Sequence, residues 1–364
     1  MNRRFLKKVA ALFLSGMVML SASGEAAAKK NNEIINADMV KEWQAMSADT
    51  GGTLLFSDSP EIVKGDGILY EDTVKGKARL LYYHLNGTKQ DKKVVVLLEN
   101  MSDKDEIIQL NNFGYTKEPS DDYLLVGKSV QQEYFSHKNY DTVAVPAKSK
   151  RLLIKSLDKI LIKPKRLVYG MIDFTAPLDT KVTVMMLPFE GDAIYYSRLL
   201  KQLAPDKDVN ARLRGTFYGM DRIIKADKPY SSRRDGAVGI TLADDRHDRY
   251  RTGIDASDGA IVQNYGNYGV LYKILIPTEG NGRTSYYLNP RGGVYAGAIA
   301  VRRHGINGRP ELILTPDKKA FMGERGTREL AYIGTFSDSE EIWFEFSPPG
   351  ASNLPARLIL VPEK

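Results

Sequence analysis

Asn264-Tyr-Gly-Asn-Tyr-Gly-Val-Leu-Tyr-Lys-Ile-Leu-Ile-Pro277 is the stretch that decides the class of fold. Its Asn/Gly/Tyr lead forms turns, and the run at 269–276 is apolar and rich in β-branched and aromatic residues. It stops at a proline, which cannot donate to a β-ladder. This is a buried strand with two marked ends. The same grammar recurs at 77–86, 92–100, 166–174, 181–187, 294–302, 341–347 and 355–361. Many short strands separated by Gly, Pro, Asn and Asp turns predict a mainly β protein of two β-sandwich domains, Ig-like or jelly-roll-like, with one or two short helical insertions.

Working outward from that strand, the chain divides into five parts. Residues 1–28 read as a signal peptide: Arg3, Arg4, Lys7 and Lys8 precede an apolar stretch at 9–20, and Ala26, Ala27 and Ala28 supply the small residues of a cleavage site. Residues 29–53 form a lead segment with a candidate helix at 37–46, where Met39, Val40, Trp43 and Met46 fall at helical spacing and docking is expected through Trp43. Residues 54–190 are expected to form the first sandwich. A helical insertion at 120–135 interrupts it, with Tyr123, Val126, Val130 and Tyr134 on one face, Ser120 as N-cap, and Gly127 permitting close approach. A helical linker at 191–209 carries the domain boundary, placed between about 188 and 210, and residues 210–364 form the second sandwich.

The composition is that of a folded protein, 43% hydrophobic and 27% charged in 364 residues. There is no cysteine, so no disulfide or thiolate metal site is available, and stability must come from burial. The net charge of +7 includes four cations and one anion within 1–28, which leaves about +4 for the rest. No basic patch interleaved with aromatics occurs, so nucleic-acid binding is not expected. No second apolar stretch of membrane-spanning length follows the signal. The expected product is exported, to the periplasm, the cell envelope or the exterior, with a cell-wall or envelope polymer, or another envelope protein, as its partner.

Site motifs are sparse. The four histidines, His84, His137, His247 and His304, show no metal-ligand spacing, and His84 alternates with Leu80 and Tyr82 as a strand-interior residue does. No nucleophile elbow Gly-x-Ser-x-Gly is present. The densest polar cluster holds Asp244, Asp245, Asp248, Asp255 and Asp258. Those carboxylates could gather around Ca²⁺, but they lack the alternation of a calcium loop, and pairing with Arg246, Arg249 and Arg251 is the simpler expectation. Tyr265, Tyr268, Tyr272 and Tyr295, with Tyr286 and Tyr287, could form an aromatic platform for sugars or peptides, or could pack half-buried within strands. No cofactor and no catalytic residue follow from these patterns. The primary expectation is a non-enzymatic envelope-associated binding or structural protein. The alternative is a carbohydrate-active or other hydrolase whose acids, for example Glu71 and Glu99, come from separate strands.

Several segments resemble a known group: Ser57-Asp-Ser-Pro-Glu61, Gly67-Ile-Leu-Tyr-Glu-Asp-Thr73, Tyr123-Leu-Leu-Val-Gly-Lys128, Leu213-Arg-Gly-Thr-Phe217, 264–270 and Ser347-Pro-Pro-Gly-Ala-Ser-Asn-Leu-Pro355. They are similar to exported bacterial envelope proteins labelled by a copper amine oxidase N-terminal-like domain. The resemblance runs from about residue 54 onward and covers the β-rich companion region of those proteins; 28–54 is too short for the N-terminal-like domain itself. It implies an envelope location and no defined activity. The oxidases mature a tyrosine within Asn-Tyr-Asp/Glu and hold copper partly through His-x-His, whereas here Asn264-Tyr265 and Asn267-Tyr268 precede glycine and His-x-His is absent. Copper amine oxidase activity is therefore not expected.

Overall fold

The computed structural model describes residues 36–136, 141–208 and 211–363. The signal peptide read at 1–28 and His137 lie outside the described residues. The protein is mainly β, and the described residues form three sheets and two short α-helices, Tyr123–Ser136 and Ala193–Tyr196.

Two long strands, Gly67–Asn86 and Leu167–Pro188, form the spine. They pair antiparallel from Leu167 opposite Leu85 to Met186 opposite Gly67, with a break in register between Ala176 and Thr180. On its other edge the second strand pairs first with Glu106–Tyr115 and then, past the break, with Lys92–Asn100. The sheet thereby folds over itself and encloses an apolar core containing Leu69, Val96 and Val184 from one part and Leu80, Ile108 and Ile172 from the other. A second sandwich lies between a five-stranded and a six-stranded sheet. Ile240, Leu288 and Leu358 of the first meet Ile274, Ile299 and Phe344 of the second.

Strand alternation joins the two sandwiches. Side chains on a strand point to opposite faces, and here both faces are buried: Leu80, Tyr82 and Val168 face the first core, while Leu81, Tyr83 and Tyr169 face the second. Polar groups lock the same junction. Arg79, almost wholly buried, holds Asp173 through two bonds of 2.6 and 2.8 Å and reaches Asp221 at 3.0 Å. Lys273 meets the other oxygen of Asp221 at 2.6 Å, and the Tyr134 hydroxyl donates to Asp173 at 2.9 Å.

Sheet membership does not follow chain order. Thr53–Ser57 pairs with Arg214–Tyr218, so the large sheet runs across the 188–210 boundary and takes in Arg251–Asp255 and Ala260–Asn264 as well. The lead segment joins the second sandwich. Lys41–Glu42 pairs with Val238–Leu242, and Ala45–Thr50 with Asp221–Ala226. The helix expected at 37–46 is thus replaced by a single 3-10 turn, Ala37–Met39, followed by two strands. Its helical spacing misled because Met39 and Met46 are exposed and define no buried face. Trp43 does dock, edge-on to Tyr230 at 5.7 Å.

The helical insertion forms as Tyr123–Ser136, with Val126, Val130 and Tyr134 buried. Asp122, not Ser120, caps it, accepting the Leu125 N–H at 3.0 Å. A Cβ on Gly127 would lie 2.0 Å from the Gly350 carbonyl oxygen, so the glycine is required for the helix to reach the second sandwich. Lys128 donates to the Pro316 carbonyl at 2.6 Å, and Gln131 bonds both the Ser347 carbonyl and the Ala298 N–H. Among the described residues no helix is long and apolar enough to cross a membrane.

Candidate functional site

The structure divides the aspartate cluster into two groups, each satisfied internally. Asp255 is fully buried and accepts from Arg214 Nε at 2.9 Å, Arg212 at 2.7 Å and the Ser257 hydroxyl at 2.6 Å. Burial pushes this carboxyl up, but the bonds from Ser257 and Arg212 more than offset it and hold it below its ordinary value. Asp258 shares Arg212. At the other end of the same strand, Asp248 accepts from Arg222 at 2.5 Å, Tyr272 at 2.6 Å and the Ala243 N–H at 2.6 Å. Asp244 accepts the N–H groups of Arg246, His247 and Asp248, and Asp245 accepts that of Tyr250. The pairing is as expected in kind, but the arginines differ. Arg212, Arg214 and Arg222 neutralise the aspartates, while Arg251 binds Asp49 at 2.8 Å and Arg249 donates to the Asp245 carbonyl. Among the described residues no group of three or more His, Asp or Glu side chains is placed to hold a metal ion.

The tyrosine platform is also rearranged. Tyr272 and Tyr295 are fully buried and offer no face to a ligand. Tyr265 and Tyr268 remain half-buried. Tyr250 packs edge-on to Tyr265 at 5.7 Å and lies within electrostatic reach of Tyr268, while the buried Tyr83 lies within electrostatic reach of both Tyr268 and Tyr123. The outcome is a loose row of tyrosines from 83, 123, 250 and 265–268, joined by one ring contact, of which only Tyr265 and Tyr268 belong to the expected set.

This row borders the Ser57-Asp-Ser-Pro-Glu61 loop, which is held from beneath. His84 Nδ1 lies 3.0 Å from the Pro60 carbonyl oxygen and Nε2 2.9 Å from the Ser57 hydroxyl. A carbonyl only accepts, so Nδ1 carries the proton and Nε2 accepts from Ser57. Burial lowers the His84 pKa to about 4, so the ring is neutral. Ser57 and His84 are both fully buried, which makes the pair a structural clamp. Arg214 donates to the Ser59 carbonyl at 3.1 Å, and Asp206 accepts the Ser59 hydroxyl and the Glu61 N–H, each at 3.1 Å.

The clamped loop presents Asp58 and Glu61 beside Asp206. Asp58 Oδ1 is buried without a hydrogen-bond partner. Burial, then the charges of Glu61 and Asp206, push the Asp58 carboxyl well above its ordinary range. Glu61 is raised by desolvation and by Asp206. Tyr83 and Tyr268 sit within reach of both charges. Tyr123 also lines an open depression of about 570 Å³ with Asp121, Asp122, Leu124, Val294 and Ala351. There Asp121 pairs with Arg166 and Asp122 caps the helix. The corner can therefore offer the half-buried rings of Tyr123 and Tyr265 and the exposed Glu61 carboxyl to a ligand, beside an Asp58 whose pKa is raised. In the sequence 57–61 stands out only as part of a resemblance, and Asp58, Glu61 and Asp206 go unmarked because 145 positions separate the loop from Asp206.

No protein-family model matches the chain, and no curated protein matches it significantly. Among solved structures, the PBSX exported protein XepA is 12% identical over 81% of this chain and 86% of its own, with a TM-score of 0.17. A Paenibacillus xanthan lyase is 8% identical over 83% of this chain and 25% of its own, with a TM-score of 0.18. The Momordica charantia 7S globulin is 8% identical over 80% of this chain and 72% of its own, with a TM-score of 0.13. Superpositions this distant carry no argument about fold or activity.

Proposed function

We propose that the protein is an exported, non-enzymatic binding protein that engages an envelope polymer, or another envelope protein, through the tyrosine-and-carboxyl corner at 57–61. The observation that carries this reading is the half-buried Tyr268 within reach of Asp58 and Glu61, whose carboxyl groups no cation offsets among the described residues, with half-buried Tyr250, Tyr265 and Tyr123 around it. Tyrosine combines contact area with a polar tip, which suits sugar rings and peptide backbones. The export-type pattern at 1–28 and the resemblance to envelope proteins support the location. Co-sedimentation with isolated cell-wall and envelope fractions tests it. The protein is expected in the bound fraction, and a Tyr123→Ala/Tyr265→Ala double variant is expected to bind about tenfold more weakly, the equivalent of ~1.4 kcal/mol. Recovery of all the wild-type protein unbound from every fraction overturns the reading.

A second reading, a carbohydrate-active hydrolase, draws on the Asp58 carboxyl, which burial and the neighbouring carboxylates raise above its ordinary range, the direction a general acid requires. Glu61 or Asp206 would be the second carboxyl, the chemistry requiring the pair to stand about 5 to 10 Å apart. Release of reducing ends from envelope polysaccharide, lost in Asp58→Asn, supports it. The absence of any release from those polymers removes it.

A further inference from the structure

Charge is spread unevenly along this chain. Residues 148–166 carry eight lysines and arginines against one carboxylate, a surplus of seven that equals the formal +7 of all 364 residues. Lys148, Lys150 and Arg166 are taken by Asp103, Glu99 and Asp121, and Asp158 is taken by Lys93. That leaves Arg151, Lys155, Lys159, Lys163 and Lys165, all exposed and none with an ion-pair partner among the described residues.

The fold lines these five up. Their segment runs along the outer edge of Lys92–Asn100: Leu152 stands opposite Leu97, the Leu153 N–H meets the Val96 carbonyl at 2.9 Å, and Ile162 exchanges both backbone bonds with Lys92. Leu153, Ile154, Leu157 and Ile162 are sunk into the first core, which fixes the backbone while the cations stay in solvent. From Arg151, opposite Leu98, to Ile162, opposite Lys92, the strip extends ~20 Å at about 3.3 Å per residue of the partner strand. Neighbouring turns do not cancel it. The 86–91 turn, bonded to Ile162 through Asn86, adds Lys89 and Asp91, and 62–66 adds Lys64, its Asp66 being taken by Lys92. One of the five also stands against backbone preference. The Arg166 N–H closes a turn on the Lys163 carbonyl at 3.2 Å, and within it Lys165 has φ 63°, the left-handed region that glycine or asparagine ordinarily takes. Backbone geometry favours another residue there, so what lysine supplies at 165 is its charge.

We propose that this strip binds a linear polyanion laid along the outer edge of the first sandwich. Cations strung in a line, rather than converging on a point, suit a chain of anionic groups and not one small anion. Four of the five are lysines, point charges that read charge density more than the planar shape of a carboxylate, which favours phosphate groups. No aromatic side chain lies within 148–166 for a base to stack on, which sets this partner apart from single-stranded nucleic acid. The inference does not rest on the corner at 57–61.

Titration of the full chain into end-labelled inorganic polyphosphate and into labelled polygalacturonate, followed by fluorescence anisotropy at several salt concentrations, tests the strip. Both polymers are expected to bind, polyphosphate more tightly; the reverse order keeps the strip and assigns it a carboxylate polymer. Five contacts at about 0.7 each give a slope of log affinity on log salt near −3.5, roughly a hundredfold loss between ~50 and ~200 mM. A Lys155→Gln/Lys159→Gln/Lys163→Gln/Lys165→Gln variant should bind about tenfold more weakly or worse, with a slope nearer −1. Its unfolding midpoint should stay in place, because these side chains are exposed and unpaired. Lys41→Gln/Lys77→Gln/Lys225→Gln/Lys319→Gln removes the same charge from exposed positions elsewhere and should bind within about twofold of wild type, since distant charges are screened. A wild-type chain that binds neither polymer overturns the inference. So do equal losses in the two quadruple variants, or single-stranded DNA bound more tightly than polyphosphate of equal charge.

Discussion

Around 244–258 the buried aspartates meet guanidinium groups, whereas around 57–61 the carboxyl groups of Asp58 and Glu61 meet one another, Asp206 and tyrosine rings. In the first region burial is outweighed by Arg212, Ser257 and backbone donors, so Asp255 and Asp244 are held below their ordinary values. In the second, burial and like charge act together, and Asp58 and Glu61 rise. The same residue type is consumed as scaffold in one place and left with unused bonding capacity in the other. A high density of acids in sequence marked the scaffold, while the unsatisfied acid sits in a modest turn.

The sharpest way to break this comparison is to remove one carboxylate from each region. Asp255→Ala leaves Arg214, fully buried, without its anion. Removing one partner of a buried pair costs about 3–5 kcal/mol, which urea denaturation should show as a large fall in midpoint. Asp58→Asn should do the reverse and raise stability at neutral pH. Because the folded-state pKa of Asp58 is raised, its stabilising contribution is present below pH 3.8 and is lost as pH rises through the folded value. The gain in Asp58→Asn should therefore vanish in acid. Equal destabilisation by both substitutions would abolish the distinction between the two regions.

Acid titration separates them next. The loop at 57–61 rests on a neutral His84, whose pKa falls from 6.5 to about 4 on folding. Between those values the unfolded chain binds a proton that the folded protein excludes, so stability is fully present above pH 6.5 and is lost as pH falls toward 4. At ~1.4 kcal/mol per unit the loss approaches about 3 kcal/mol. His84→Gln should flatten that slope in chemical denaturation across the range, while Asp255→Ala should leave it in place. A wild-type chain with no slope there contradicts the neutral clamp.

The smallest effect concerns calcium. A metal bound only by the folded state at a hundredfold excess over its dissociation constant adds about 2.7 kcal/mol. With Asp248 and Asp255 already filled by arginine, tyrosine and serine donors, melting in calcium and in chelator should coincide. An upward shift that Asp248→Ala removes would reassign the first region from scaffold to site.

Features legible in the sequence were those carried by neighbours along the chain. Period-two alternation and turn residues gave the β class and many of the strands, and 3.6-residue spacing gave the helical insertion, expected at 120–135 and found at 123–136, with a close approach at Gly127. Where local spacing and tertiary position diverged, as at Met39 and Met46, the reading failed. The candidate site was largely illegible because its parts lie at 57–61, 83, 123, 206, 250 and 265–268, and no local pattern links them.

The sequence by itself determined that this chain is built of strands, because backbone preference and side-chain alternation act over a few residues. Only the tertiary structure decided which strands share a sheet, which arginine meets which aspartate, and which tyrosines keep a face toward solvent. Alternation shows that a face is buried but not against what. Leu80 and Leu81 are both buried, in different cores on opposite faces of one strand. Glu42 finds Arg357 across 315 positions, in a sheet that its local sequence does not name.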